Sequence, residues 1–204
     1  MKNEFQRAPW RAPSRWAMEN VVLFGFMGAG KTVVGKEVAR KLCMEFVDMD
    51  DIIEEKEGCS ISEIFAEKGE KHFREVESEA ARSLSRREGL VIATGGGVVL
   101  DRKNVDALQL SGAGICLTAS PEVIYERVKN ESHRPLLLTD NPLKRIRSLL
   151  RYRAPFYAKV KYRIDTSDLP AESVVENILG IVKKDREISA ATRSRGGENA
   201  DLKS

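Results

Sequence analysis

The sequence predicts an α/β fold in three layers, α/β/α, with a five-stranded parallel sheet at its centre. Three observations predict it. Short continuous apolar runs of the fully buried strand type recur along the chain, segments with helical spacing alternate with them, and the first run breaks into a glycine-rich turn that opens a helix.

Taken in order, residues 1–19 hold Trp10, Trp16, two prolines and four basic residues without strand or helix periodicity, and are expected to be an extension. Met18 directly before the first strand allows a downstream translation start; a transit peptide is the alternative, weakened by Glu4 and a single serine. The domain proper is expected over 20–184. Residues 21–24, Val-Val-Leu-Phe, read as the first strand, and Val34, Val38 and Leu42 recur at helical spacing after the turn. A second strand, apolar then acidic, follows at 45–49. Ser60 and Glu63 have capping-box spacing, Gly69 suits a helix end, and Phe73, Val76, Ala80 and Leu84 share one face of a longer helix that stops before Gly89.

Two further strands are expected at 90–93 and 114–117, the second followed by Ser120 as N-cap and Pro121 at the first helical position. That helix runs to about Val128. Residues 129–141 are polar and interrupted by proline, so they are expected to form a mobile lid between two helices. Asn141-Pro142 starts the next helix, with Leu143, Ile146 and Leu150 turned inward and Pro155 breaking it; the last strand lies at 160–165. Val174, Val175, Ile178 and Val182 mark the closing helix, and the composition of 185–204 reads as a disordered tail.

Composition narrows the function. The chain has 204 residues, 42% of them hydrophobic, enough for one ordinary domain with a core. A net charge of +3 from 34 basic and 31 acidic residues argues against a nucleic-acid-binding face. Cys43, Cys59 and Cys116 lack metal-ligand spacing and read as reduced thiols. No apolar run approaches the ~20 residues that cross a bilayer, and the N-terminus lacks a secretory h-region, so a soluble cytoplasmic protein is expected, with no membrane and no nucleic-acid partner.

Residues 25–32, Gly-Phe-Met-Gly-Ala-Gly-Lys-Thr, satisfy the phosphate-loop pattern in the context it needs, after a strand and before a helix. Glycines let successive N–H groups converge on an anion and the helix adds its positive end, which marks Gly28, Ala29, Gly30, Lys31, Thr32 and Val33 as a cradle for phosphates. Lys31 then reaches the β- and γ-phosphates, and the Thr32 hydroxyl suits Mg²⁺. Asp48 and Asp50 close the second strand; alternation along an extended chain places both carboxylates on one side, at the carboxyl end where ligands bind. The plain alternative is an acidic turn in which Asp50 or Asp51 caps a helix.

Six separate segments carry a more specific resemblance: the loop itself, Phe46-Val-Asp-Met-Asp50, His72-Phe-Arg-Glu-Val-Glu77, Thr94-Gly-Gly-Gly97, Arg134-Pro-Leu-Leu137 and Arg153-Ala-Pro-Phe-Tyr157. In this order and spacing the chain resembles the shikimate kinases, within the nucleoside-monophosphate-kinase-like P-loop group, over roughly residues 20–183. The resemblance implies a P-loop kinase fold, ATP and Mg²⁺, and shikimate as acceptor; a monomer is expected.

Position by position, it implies that Asp48 contacts Mg²⁺ through water, beside Thr32. Asp50 hydrogen-bonds the acceptor's hydroxyls and either takes the proton of the attacking one or only positions it. Arg74 and Arg153 grip the shikimate carboxylate, while Gly95, Gly96 and Gly97 line the acceptor pocket. Arg134 meets the γ-phosphate from the lid, and Arg127 packs on adenine. Bland readings stand beside these: Arg74 paired with Glu70 or Glu77, Arg153 and Arg127 as helix-end cations, and the three glycines as a flexible turn. Competing functions are a kinase for gluconate or a nucleoside monophosphate, neither of which combines the later segments, and a silent nucleotide-binding module, which predicts a damaged lysine, aspartate or lid arginine, whereas Lys31, Asp50 and Arg134 are all present.

Overall fold

The computed structural model describes residues 19–130 and 139–198. The N-terminal extension, Arg134 with most of the expected lid, and the end of the expected tail lie outside the described residues.

Five parallel strands form one sheet in the order β2-β3-β1-β4-β5. The central strand β1 (Asn20–Gly25) pairs with β3 (Leu90–Ala93) on one side and β4 (Gly112–Thr118) on the other, and every residue of it is buried. Helices cover both faces, which is why its apolar run is continuous rather than alternating. Val21 and Leu23 face α1 (Lys31–Leu42) and α8 (Ala171–Glu198), meeting Val38 and Ile178. Val22 and Phe24 face the other layer, with Phe73, Ala81 and Leu84 of α4 (Gly69–Leu84). Complete burial of side chains such as Leu23 and Phe24 stabilises the sheet by about 1.5–3 kcal/mol each.

Asn20 ties the strand starts together. Its Nδ2 donates to the Arg87 carbonyl at 2.7 Å and to Ser111 Oγ at 3.2 Å, and its Oδ1 accepts from the Leu90 N–H at 2.9 Å. The edge strands are β2 (Glu45–Asp48) and β5 (Tyr162–Asp165). Because β1 connects toward β2 and the chain later returns through β3 to β4, the carboxyl ends of the central strands open the crevice where ligands of such sheets bind.

Several local expectations correspond to observed elements. The capping box at Ser60 and Glu63 opens α3 (Ile61–Glu67), Ser120 caps α6 (Pro121–Val128), and Asn141 caps α7 (Pro142–Tyr157). Cys116 is a buried core thiol whose surroundings push its pKa up to about 11, and Cys43 is exposed. Among the described residues no helix is long and apolar enough to cross a membrane.

The structure departs from the sequence reading at four points. The second strand ends at Asp48, and α2 (Met49–Glu57) begins at once, so strand alternation is not what orients Asp50; the Asp48 carboxylate caps the new helix by accepting from the Asp50 N–H at 3.1 Å. A helix, α5 (Arg102–Leu110), lies in a segment whose apolar pattern is too sparse to signal it. Pro155 does not end α7: it sits in the last turn, where only one carbonyl, that of exposed Arg151, loses its partner.

The fourth concerns the tail. The closing helix does not stop at 184 but continues to Glu198. Asp185 is 5% exposed and accepts from Lys161 Nζ at 2.5 Å and from the Tyr162 hydroxyl at 2.7 Å, so the turn that looks polar in sequence is fastened to the start of β5.

Candidate active site

The glycine-rich loop leaves β1 at Gly25 and enters α1 with Gly30 as N-cap. Gly28 (φ 71°) and Gly30 (φ 94°) take left-handed conformations that side chains rarely adopt. No side chain caps α1 and its first turn carries no acid, so the N-terminal N–H groups and the helix dipole are left for an anion. Lys31 folds back over the loop: its Nζ donates to the carbonyls of Gly25 at 2.9 Å and Phe26 at 3.0 Å. Val33, the last residue of the expected cradle, is 68% exposed.

Next to the loop, the Thr32 hydroxyl donates to Asp48 Oδ2 at 2.9 Å. The two residues expected at a metal are thus brought together from α1 and β2. A hydroxyl and a carboxylate are hard oxygen donors, and Mg²⁺ takes one or two such protein groups with waters and phosphates completing the shell, so this pair fits that ion.

The side expected to take the acceptor is built on the turn after β3. The Thr94 N–H and hydroxyl both contact the Leu23 carbonyl, at 3.0 and 3.1 Å, which anchors the three glycines beside β1. A Cβ on Gly95 would lie 2.7 Å from Asp50 Oδ1 and 3.1 Å from Glu77 Oε1, so two carboxylates converge over this backbone. A Cβ on Gly97 would lie 2.3 Å from Arg74 Nη1. The Gly96 carbonyl accepts from Arg153 Nη1 at 3.0 Å and from the Tyr157 hydroxyl at 2.7 Å, and a Cβ there would sit 3.5 Å from the Met27 nitrogen of the loop. The acceptor wall and the phosphate loop therefore touch at Gly96.

Arg74 joins both readings offered by the sequence. Its Nη1 donates to Glu77 Oε2 at 2.7 Å and its Nη2 to Glu70 Oε1 at 3.1 Å, while the same guanidinium lies against Gly97. Arg153 is 6% exposed and its Cζ lies 5.5 Å from the Phe26 ring centroid. Two buried atoms of this wall, Glu77 Oε1 and Arg153 Nε, have no hydrogen-bond partner among the described residues. Orphaned buried polar atoms of opposite charge on one wall are what a polar ligand would satisfy. Burial pushes the Glu77 carboxyl up, with Arg74 opposing and Asp50 reinforcing the shift. Burial likewise raises the Tyr157 phenol far above its ordinary value, which keeps it a donor.

On the far side of the loop, Arg127 Nη1 donates to the Gly28 carbonyl at 3.2 Å and to Thr166 Oγ1 at 3.0 Å, and its Nη2 to the Thr166 carbonyl at 2.7 Å. The helix end that carries it packs directly on the loop, since a Cβ on Gly28 would meet Val128 Cγ1 at 2.7 Å.

Comparison with known proteins decides the family. The family model described as shikimate kinase matches residues 27–183. The chain belongs to the shikimate kinase family. It is 49% identical over 162 residues to a shikimate kinase of Thermodesulfovibrio yellowstonii, covering 79% of this chain and 94% of that one. Among solved structures, a shikimate kinase from Acinetobacter baumannii in complex with shikimate superposes with a TM-score of 0.78 at 37% identity, covering 82% of this chain and 94% of that one. A shikimate kinase from Bacteroides thetaiotaomicron superposes with a TM-score of 0.76 at 33% identity, covering 82% and 99%. As a member of this family the chain is a kinase with ATP as its phosphoryl donor.

Three residues of this site have no ligand role in the sequence reading, although Glu77 appears there as a possible partner of Arg74, and Glu77 and Tyr157 close two of the six segments. Glu77 sits on the same face of α4 as Phe73, Val76, Ala80 and Leu84, and a carboxylate on an apolar stripe was the available signal. Tyr157 lies one turn beyond Arg153 and shares its target. Thr166 gave no signal in the sequence.

Proposed function

We propose that the chain transfers the γ-phosphoryl group of ATP to the 3-hydroxyl of shikimate, giving shikimate 3-phosphate and ADP on the route to chorismate and the aromatic amino acids. The observation that carries this reading is the contact at Gly96 between a wall bearing two arginines and two carboxylates and the loop bearing Lys31. Phosphoryl transfer demands little covalent chemistry of a protein and much positioning, so adjacency of the two sites is the principal requirement.

In this reading the N–H groups of residues 28–33 hold the phosphates. Lys31 exchanges its carbonyl partners for β- and γ-oxygens. Thr32 and Asp48 hold Mg²⁺, which when bound neutralises charge between the phosphates. Arg74 and Arg153 take the shikimate carboxylate, and the planar guanidinium suits that grip better than an ammonium. Asp50, over Gly95, holds the attacking hydroxyl and accepts its proton, while Glu77 keeps Arg74 in place. Arg134 meets the γ-phosphate and Arg127 the adenine. We propose further that the protein acts in the cytoplasm as a monomer.

The test is ADP release by purified protein with ATP, Mg²⁺ and a panel of shikimate, gluconate and nucleoside monophosphates. ADP release that depends on shikimate is expected. Folded protein that releases no more ADP with shikimate than without it, or that prefers another acceptor, refutes the reading.

A further inference from the structure

The outer side of the phosphate loop is fastened by a residue that none of the roles above uses. Thr166 follows β5 and is 3% exposed. Its N–H donates to the Thr118 carbonyl at the end of β4, at 2.8 Å. Its hydroxyl lies 3.1 Å from that carbonyl and 3.3 Å from the carbonyl of Ala29 in the loop. Arg127 Nη1 donates to the hydroxyl, and Arg127 Nη2 to the Thr166 carbonyl. One threonine thus meets a strand end, the loop and helix α6.

A hydroxyl carries one proton and two lone pairs, and this one uses both capacities: it donates to a carbonyl and accepts from a guanidinium. The arrangement bears on the loop because a trans peptide keeps its C=O and N–H on opposite sides. With the Ala29 carbonyl turned to Thr166, the peptide plane that carries the Gly30 N–H is set from outside; the Gly28–Ala29 plane is held between Arg127 at the Gly28 carbonyl and the bond from the Ala29 N–H to the Phe26 carbonyl at 3.2 Å. Valine fills the same space but can do neither job, leaving Arg127 Nη1 with the Gly28 carbonyl alone.

We propose that Thr166 is a positioning residue for the nucleotide: through Arg127 and the Ala29 carbonyl it holds the phosphate loop and the arginine beside the base in one arrangement. This rests on the reading above in which ATP occupies the loop. The acceptor wall, on the opposite side of the loop, does not depend on it.

The experiment is titration calorimetry with MgADP, together with steady-state kinetics, on the full chain. Thr166→Val weakens MgADP and raises the KM for ATP about tenfold, the effect of losing one hydrogen bond to a charged group. The KM for shikimate and kcat stay within about twofold, and Thr166→Ser restores the nucleotide affinity, since it keeps the hydroxyl. In an Arg127→Met background Thr166→Val adds less than about threefold, because the two act as one unit. Should the valine variant melt before the assay temperature, Thr166→Ala enters the same comparisons. Unchanged MgADP affinity, no recovery with serine, or the same loss with and without Arg127 overturns the proposal. Wild-type protein that fails to bind MgADP at all overturns the nucleotide reading as well, which separates the two failures.

Discussion

Replacing Gly95 by alanine separates the chemistry of the site from its stability. The added methyl would lie 2.7 Å from Asp50 Oδ1 and 3.1 Å from Glu77 Oε1, whereas ordinary van der Waals contact begins near 3.4 Å. Asp50 must therefore retreat by roughly 0.7 Å, and Glu77 by about half as much. Gly95 does not have a left-handed φ, so the methyl brings no backbone strain, and the atoms it meets are the ends of side chains that can move. Misplacement of a reacting group by ~1 Å costs about 100-fold in rate, so a displacement of this size predicts a fall in kcat of roughly 30- to 100-fold. The loss of stability should stay below about 1.5 kcal/mol. Coupled ADP release measures the first and urea denaturation the second. A variant with normal kcat and normal stability would show that Asp50 does not need its place at the reacting hydroxyl; a raised KM for shikimate with normal kcat would reduce it to a binding group.

Two more predictions concern the acceptor wall. Burial raises the Glu77 carboxyl in the native state, so the folded protein binds that proton more tightly than the unfolded chain does. The stability Glu77 contributes is then present in full below its unfolded pKa and declines as pH rises through the folded value. Urea melts from pH 4 to 7 should show the wild type losing stability relative to Glu77→Gln; a constant difference would mean that Glu77 has the same pKa in both states. Arg74→Ala should raise the KM for shikimate about 10- to 100-fold with a smaller change in kcat, because in the proposed reading it grips a group whose charge is the same before and after transfer. Initial-rate kinetics that show the loss mainly in kcat would move Arg74 into the transition state.

Much of the fold was legible because it is written locally. The run Val-Val-Leu-Phe can be continuous only in a strand covered on both faces, and β1 is that strand. Ser60 with Glu63, Ser120 with Pro121 and Asn141 with Pro142 are helix starts that depend on neighbours in sequence alone. What escaped depends on contacts made across the chain. The continuation of α8 past Lys184 is fastened at Asp185 by Lys161 and Tyr162, more than 20 residues earlier in the chain. The start of α2 depends on Asp48 acting at once as strand end, helix cap and acceptor from Thr32, three duties that no spacing rule separates. Within the site, the loop and the two arginines stood out as motifs. Glu77 closes one of the six segments and pairs with Arg74 as the sequence allows, but its place over Gly95 depends on the fold; Thr166 lies in none of the segments, since its importance lies in the Arg127 it holds.

Lys31 resting on the carbonyls of its own loop has a consequence for selectivity. Its ammonium is already solvated by amide dipoles, so the arrival of a nucleotide is a substitution of one set of oxygens for another rather than the filling of a void. A polyphosphate brings enough charge and oxygens to replace both backbone acceptors at once, so Lys31 trades neutral dipoles for anionic oxygens in a single exchange.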